Sequence, residues 1–199
     1  EMEDKAMRAG KPLPVNPVDQ ALAIMNIRHY NNVTVLWEML YQYDGQLGVP
    51  EQLDAVFSAG GYHDIEAGNY GKLDMTAENK AIFQTMKPGG TFFIVDYAAA
   101  ANGGVNAAKT LHRADAEQVK KELASAGFTF DGESKVLAVA SDDHAKAAVS
   151  GRAGDGLDQI VLRFKKPANA SNATLRPKTD PLAGYYGNTE ISNAYAKGT

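Results

Sequence analysis

The segment from Leu53 to Asp96 constrains the chain more than any other. Two short apolar runs, 53–59 and 91–95, are bounded by turn residues and rich in Val, Ile and Phe, the pattern of strands buried on both faces of a parallel sheet. Between them a polar loop leads into Ala77, Ala81, Ile82 and Thr85, which recur at helical spacing. Strand, loop, helix and strand in this order predict a right-handed crossover between parallel neighbours. Both strands end in polar residues, Ser58 to Asp64 and Asp96 to Tyr97, and in open α/β sheets the ligand crevice lies outside such carboxyl ends.

The flanking sequence extends this pattern. Val18, Ala21, Leu22 and Met25 form an apolar stripe after Pro17, predicting a helix over 18–29, and the β-branched run from Val33 to Trp37 reads as a strand. The Ala/Gly/Asn stretch 98–109 reads as a flexible loop on the ligand side of the sheet. Asp115 is placed to cap a helix over 116–126, with Val119, Leu123 and Ala126 facing inward and Gly127 ending it. Phe128 to Phe130 and Lys135 to Val139 supply one or two strands, and Gln159 to Phe164 a last one. From 168 to 199 Pro, Ala, Asn, Ser and Thr dominate, which divides the chain into a domain over 1–167 and an irregular arm over 168–199.

Composition narrows the function classes. The 199 residues suffice for one domain with a sizeable core. A net charge of −4 with dispersed cations gives no reason to expect nucleic-acid binding. Cysteine is absent, which removes disulfides, thiolate metal sites and a cysteine nucleophile. No run approaches the ~20 apolar residues of a membrane-spanning helix, so a soluble chain without a membrane partner is expected. A Gly-x-Ser-x-Gly elbow, a Walker loop and helical His-x-x-x-His or Glu-x-x-His spacings are all missing, and metal binding is not expected from spacing.

Tyr-His-Asp at 62–64, Lys-Pro-Gly-Gly at 87–90, Val-Asp-Tyr at 95–97, Leu-His-Arg-Ala-Asp at 111–115 and Ala-Gly-Phe at 126–128, taken as an ordered set, resemble the class I S-adenosylmethionine-dependent methyltransferases. They are similar in particular to a predicted bacterial subgroup with Tyr-His-Asp, Lys-Pro-Gly-Gly and Leu-His-Arg in that order. The resemblance spans about Asn32 to Pro167. It implies a Rossmann-like α/β sandwich with a mostly parallel sheet, a C-terminal antiparallel pair, S-adenosylmethionine as cofactor and a small-molecule acceptor. Relatives in this subgroup often carry export signals, which favours the periplasm over the cytoplasm.

One part of the family pattern is missing. The glycine-rich loop that follows the first strand has no counterpart, and Gly60-Gly61, Gly89-Gly90 and Gly103-Gly104 read as turn glycines. In the family strand order 3-2-1-4-5-7-6, the motifs account for strands 3 to 7 and leave out the two central ones. Each missing neighbour would strand backbone groups at about 1–3 kcal/mol apiece. The missing segment could come from another chain or a cleaved piece, the strand at 33–37 could pair directly with 53–59, or the sequence could be part of a longer protein. A start at Glu1 rather than methionine favours a processed or incomplete chain, with S-adenosylmethionine bound once the missing segment is supplied. The alternative is an inactive methyltransferase-like binding or assembly subunit, associating with itself or a partner through the 168–199 arm.

The resemblance places adenine near Trp37, Glu38 and Met39, the ribose hydroxyls near Glu1, and the methionine end near Ser58, Ala59, Gly60 and Gly61. Trp37 as a core residue and Glu38 as a solvated one are the competing assignments. His63 and Asp64 follow a strand's carboxyl end, where a carboxylate can fix an imidazole tautomer while the other nitrogen takes a substrate proton; a histidine bonded to the loop backbone is the competing assignment. Asp96 and Tyr97 would face the same crevice, Asp96 alternatively capping the next loop. His112 and Arg113 precede the Asp115 cap, Arg113 being set either to hold a carboxylate substrate or to form a structural salt bridge with Asp96 or Asp64. His29 and His144 read as surface histidines.

Overall fold

A computed structural model describes residues 49, 51–69, 74–148, 156–171 and 174–175, all within one compact unit spanning Glu38–Thr179. The predicted helix 18–29, the strand 33–37, the residues Glu1, Trp37, Glu38 and Met39, and most of the arm lie outside the described residues.

The elements in chain order are β1 (Leu53–Ala59), α1 (Tyr62–Ala67), α2 (Met75–Thr85), β2 (Met86–Tyr97), α3 (Gly104–Leu111), α4 (Ala116–Ala126), β3 (Thr129–Glu133) and β4 (Gln159–Lys165). They form one sheet in the order β1-β2-β4-β3. The β1–β2 pair is parallel, as the crossover predicts. β4 runs antiparallel to both β2 and β3, giving the antiparallel end that the resemblance implies.

Local chemistry sets the element ends. The Asp74 carboxylate accepts from the Thr76 N–H at 2.9 Å and starts α2. Asp115 does the same for α4 through the Glu117 and Gln118 N–H groups. Gly127 closes α4 at φ +107°, and a Cβ there would also lie 3.2 Å from the Phe83 ring, so backbone conformation and packing both require glycine.

The core lies on one face of the sheet. Phe92 and Ile94 of β2 and Leu162 and Phe164 of β4 pack against Val119, Leu123 and Ala126 of α4, with Tyr62, Met86 and Phe128 completing the cluster. The opposite face is open at β1, where Phe57 is 66% exposed. The expectation that 53–59 is buried on both faces is therefore corrected: among the described residues β1 is an edge strand, with burial confined to one side.

Four local readings also change. Tyr62, His63 and Asp64 lie in α1 rather than in a loop, because the buried Tyr62 anchors that segment to the core. The Lys-Pro-Gly-Gly turn is a bulge within β2, whose register against β1 jumps between Leu53 and Ala55. At Gly90 a Cβ would stand 2.9 Å from the Lys87 carbonyl oxygen and 3.1 Å from that of Asp54. The stretch 98–109 holds the start of α3: the Gly104 N–H donates to Asp115 Oδ2 at 2.9 Å, and Ala107 and Ala108 are buried. Residues 135–139 do not form a strand: the Ala138 N–H donates to the Lys135 carbonyl at 3.0 Å, closing a turn, and Val136 is left 77% exposed.

Candidate functional site

The carboxyl ends of β1 and β2 converge on a histidine pair. Asp96, fully buried near the end of β2, accepts three hydrogen bonds: from the His63 backbone N–H at 2.9 Å, from His63 Nδ1–H at 2.7 Å and from the Tyr97 N–H at 2.8 Å. A carboxylate that already takes two fixed backbone donors fixes the imidazole proton on Nδ1 and leaves Nε2 free of it. His63 Nε2 lies 3.4 Å from Asp64 Oδ1, and His112 Nδ1 lies 3.6 Å from the same oxygen. The two imidazoles meet edge to face, with ring centres 5.6 Å apart. The Asn69 side-chain amide donates to Asp64 Oδ1 at 2.6 Å and steadies it.

His112 reaches this position from the left-handed backbone region, φ 54° and ψ 47°, at the end of α3. That conformation is unfavourable for a residue with a Cβ and is retained only where the surroundings enforce it. Burial opposes charging of His63. The Asp96 hydrogen bond and the charges of Asp96, Asp64 and Glu66 outweigh burial and raise its pKa above the usual imidazole value.

Of the residues singled out from sequence, His63, Asp64, Asp96 and His112 come together. Tyr97 does not join them: its side chain packs with Ala148 and Leu157 in a separate small cluster, because successive residues of a strand point to opposite faces. Ser58 is half-buried, and Ala59 and Gly60 are exposed at the end of β1. The Gly60 N–H donates to the Val95 carbonyl at 2.8 Å, and a Cβ on Gly60 would meet nothing within 4 Å. Arg113 makes a structural salt bridge, but with Asp142 rather than Asp96 or Asp64. His144, read as a surface histidine, is partly buried and sits 3.0 Å from Asp158 Oδ2.

A second buried polar cluster was not legible in the sequence. Tyr62 Oη donates to Glu122 Oε2 at 2.7 Å, accepts from Asn79 Nδ2 at 2.9 Å, and Gln118 Nε2 donates to Glu122 Oε1 at 2.8 Å. Beside it, Glu66 is 7% exposed, and neither carboxylate oxygen has a hydrogen-bond partner among the described residues. Burial, followed by the charges of Glu122, Asp115 and Asp96, pushes its pKa up to about 7. The only sequence signal was an acidic residue one helical turn after His63.

Glu66 should make the fold less stable as pH rises. A carboxyl whose folded pKa exceeds its unfolded value favours the native state at low pH and loses that advantage between about 4.5 and about 7. Glu66→Gln should therefore match the parent near pH 5 and exceed it by about 2–3 kcal/mol at pH 8. Urea unfolding at the two pH values checks this, and equal differences at both would contradict it.

The parallel β1–β2 crossover, the antiparallel β4–β3 end and a polar cluster at the strands' carboxyl ends define a Rossmann-like α/β protein with the fold of the class I S-adenosylmethionine-dependent methyltransferases. The chain is similar in structure to a proposed methyltransferase from Bacillus halodurans, with a TM-score of 0.50 and 15% identity over 75% of this chain and 78% of that one. It is also similar to the N-methyltransferase NodS from Bradyrhizobium japonicum, with a TM-score of 0.47 and 17% identity over 77% and 71% of the two chains. No family model and no curated protein sequence matches the chain. No helix among the described residues is long and apolar enough to cross a membrane.

Proposed function

We propose that the protein takes part in S-adenosylmethionine-dependent methyl transfer to a small-molecule acceptor, and that the described residues form the acceptor side of its site. The observation that carries this reading is the Asp96–His63 pair, held at 2.7 Å at the carboxyl ends of two parallel strands in a methyltransferase fold. At the neighbouring strand end a Cβ on Gly60 would meet nothing within 4 Å, and Ser58, Ala59 and Gly60 are the proposed contacts of the methionine part of the donor. Trp37 and Glu38 are the proposed adenine contacts.

S-adenosylmethionine, when bound, supplies an electrophilic methyl group. Displacement at a sulfonium needs alignment and, for a protonated acceptor, removal of one proton. His63 Nε2 is oriented for that proton, because Asp96 holds the opposite ring nitrogen as a donor and stabilises the imidazolium that results. Asp64 and His112 border the position where the acceptor would approach.

Calorimetric titration of the protein in its native, complete form with S-adenosylmethionine tests the reading. One-to-one binding with a micromolar dissociation constant, competed by S-adenosylhomocysteine, is the expected result. A folded protein that gives no binding to either compound would overturn it.

A further inference from the structure

We propose that His63 Nε2, Asp64 Oδ1 and His112 Nδ1 form a binding site for a divalent transition-metal ion of the Zn²⁺ type. The donor atoms of these three residues lie within 4.8 Å of one another. Two of the separations, 3.4 and 3.6 Å, are close to the ~3.3 Å between neighbouring ligand atoms in a tetrahedral site with metal–ligand bonds of about 2.0–2.1 Å. Two imidazoles and one carboxylate suit a borderline first-row ion better than Ca²⁺ or Mg²⁺, which prefer all-oxygen sets. Three protein ligands leave a position open for water or substrate.

The surroundings supply what such a site needs and a chance cluster lacks. Metal-bound histidines donate their second ring N–H to a carboxylate or carbonyl, which fixes the tautomer and strengthens the ligand. His63 already donates Nδ1–H to the buried Asp96, so its Nε2 lone pair is directed at the other two groups. The Asp64 carboxylate is steadied by Asn69. His112 is held in a left-handed backbone conformation that directs its ring at His63. Among the described residues no lysine or arginine forms an ion pair with Asp64, Asp96 or Glu66, so a dication would provide the missing counter-charge. His63 is buried while Asp64 and His112 are partly exposed, so the site is reachable from solvent.

The inference does not rest on methyl transfer. If both hold, the ion takes the Nε2 lone pair, and an acceptor oxygen bound at the open position is acidified by the metal rather than deprotonated by His63.

The test uses the full chain, stripped with a chelator and titrated with Zn²⁺ by calorimetry and with Co²⁺ by visible absorption. One equivalent should bind, the Co²⁺ complex showing the intense bands of four- or five-coordination, and the imidazole NMR signals of His63 and His112 should shift together on adding Zn²⁺. His112→Ala should weaken binding by at least about 100-fold and Asp96→Asn by about 10–100-fold, while His144→Ala should leave it unchanged. Should His112→Ala fail to fold by circular dichroism, Asp64→Asn, a change at a partly exposed side chain, takes its place. Absence of one-equivalent binding, unmoved imidazole signals in the parent protein, or equal affinity in the folded ligand variant would each overturn the proposal. S-adenosylmethionine binding is read separately, so the two ideas fail independently.

Discussion

Replacing Arg113 with alanine should destabilise the protein by about 3–5 kcal/mol, the usual cost of removing one partner from a buried ion pair. The Arg113 side chain is fully buried and that of Asp142 is 3% exposed. The guanidinium donates through Nη1 to Asp142 Oδ2 at 2.8 Å and through Nη2 to Oδ1 at 3.2 Å, a bidentate pairing, and also to the carbonyls of Ala98 at 2.7 Å and Lys146 at 2.8 Å. Truncation would leave the Asp142 charge without its counter-ion and strand two carbonyl groups. Arg113→Lys keeps the charge but cannot reproduce the fork, so it should recover only part of the loss. Urea midpoints for the parent and both variants check this, and a loss under 1 kcal/mol for alanine would contradict it.

The same pair sets part of the acid sensitivity. Burial pushes the Asp142 carboxyl up. The Arg113 hydrogen bond and the backbone N–H groups of Asp158 and His144 outweigh it and hold the pKa at about 2, below the ordinary 3.8. A depressed folded-state pKa contributes stability that is present above about pH 4 and lost as pH falls towards 2, amounting to about 2 kcal/mol. In Arg113→Ala much of that acid-limb contribution should vanish.

Asp96→Asn should lower methyl transfer to an acceptor that must shed a proton by about 10²–10⁴-fold, the usual contribution of a positioned base. An asparagine cannot reproduce the acceptor set. The Oδ2 position faces the His63 backbone N–H and the Oδ1 position faces the Tyr97 N–H, so whichever way the amide turns, its NH₂ meets a fixed donor. One backbone group loses its partner at about 1–3 kcal/mol. With the amide NH₂ at Oδ1, His63 must also shift its proton to Nε2, away from the tautomer the reaction requires. Nitrogen NMR of the His63 ring should show that shift, while S-adenosylmethionine binding should stay within about twofold if, as proposed, Asp96 serves the acceptor side. An unchanged tautomer together with an unchanged rate would show that the pair is structural.

Several elements were legible because short-range geometry dictates them. The continuous apolar run at 91–95, the helical spacing of Ala81 and Thr85, and the Asp115 and Gly127 ends of α4 each follow from how a strand or helix presents side chains and satisfies its terminal backbone groups. The Ala/Gly/Asn stretch at 98–109 has loop composition, yet a helix starts within it where the Asp115 carboxylate accepts from the Gly104 N–H. The apolar run at 135–139 has strand composition, yet its backbone closes into local turns, Ala138 N–H to Lys135 and Asp142 N–H to Val139.

What the sequence by itself determined is the α/β alternation, the crossover between β1 and β2 and the polar character of their carboxyl ends, since these depend on residue periodicity within a few turns of chain. Only the tertiary structure decided that His112 swings back to His63 and Asp64, that Arg113 meets Asp142 instead of the site, and that Glu66 is buried without a hydrogen-bond partner among the described residues. Such meetings are set by how helices α1, α3 and α4 dock on the sheet, and docking is governed by side-chain volume and competition for hydrogen bonds across long separations, which no local pattern encodes.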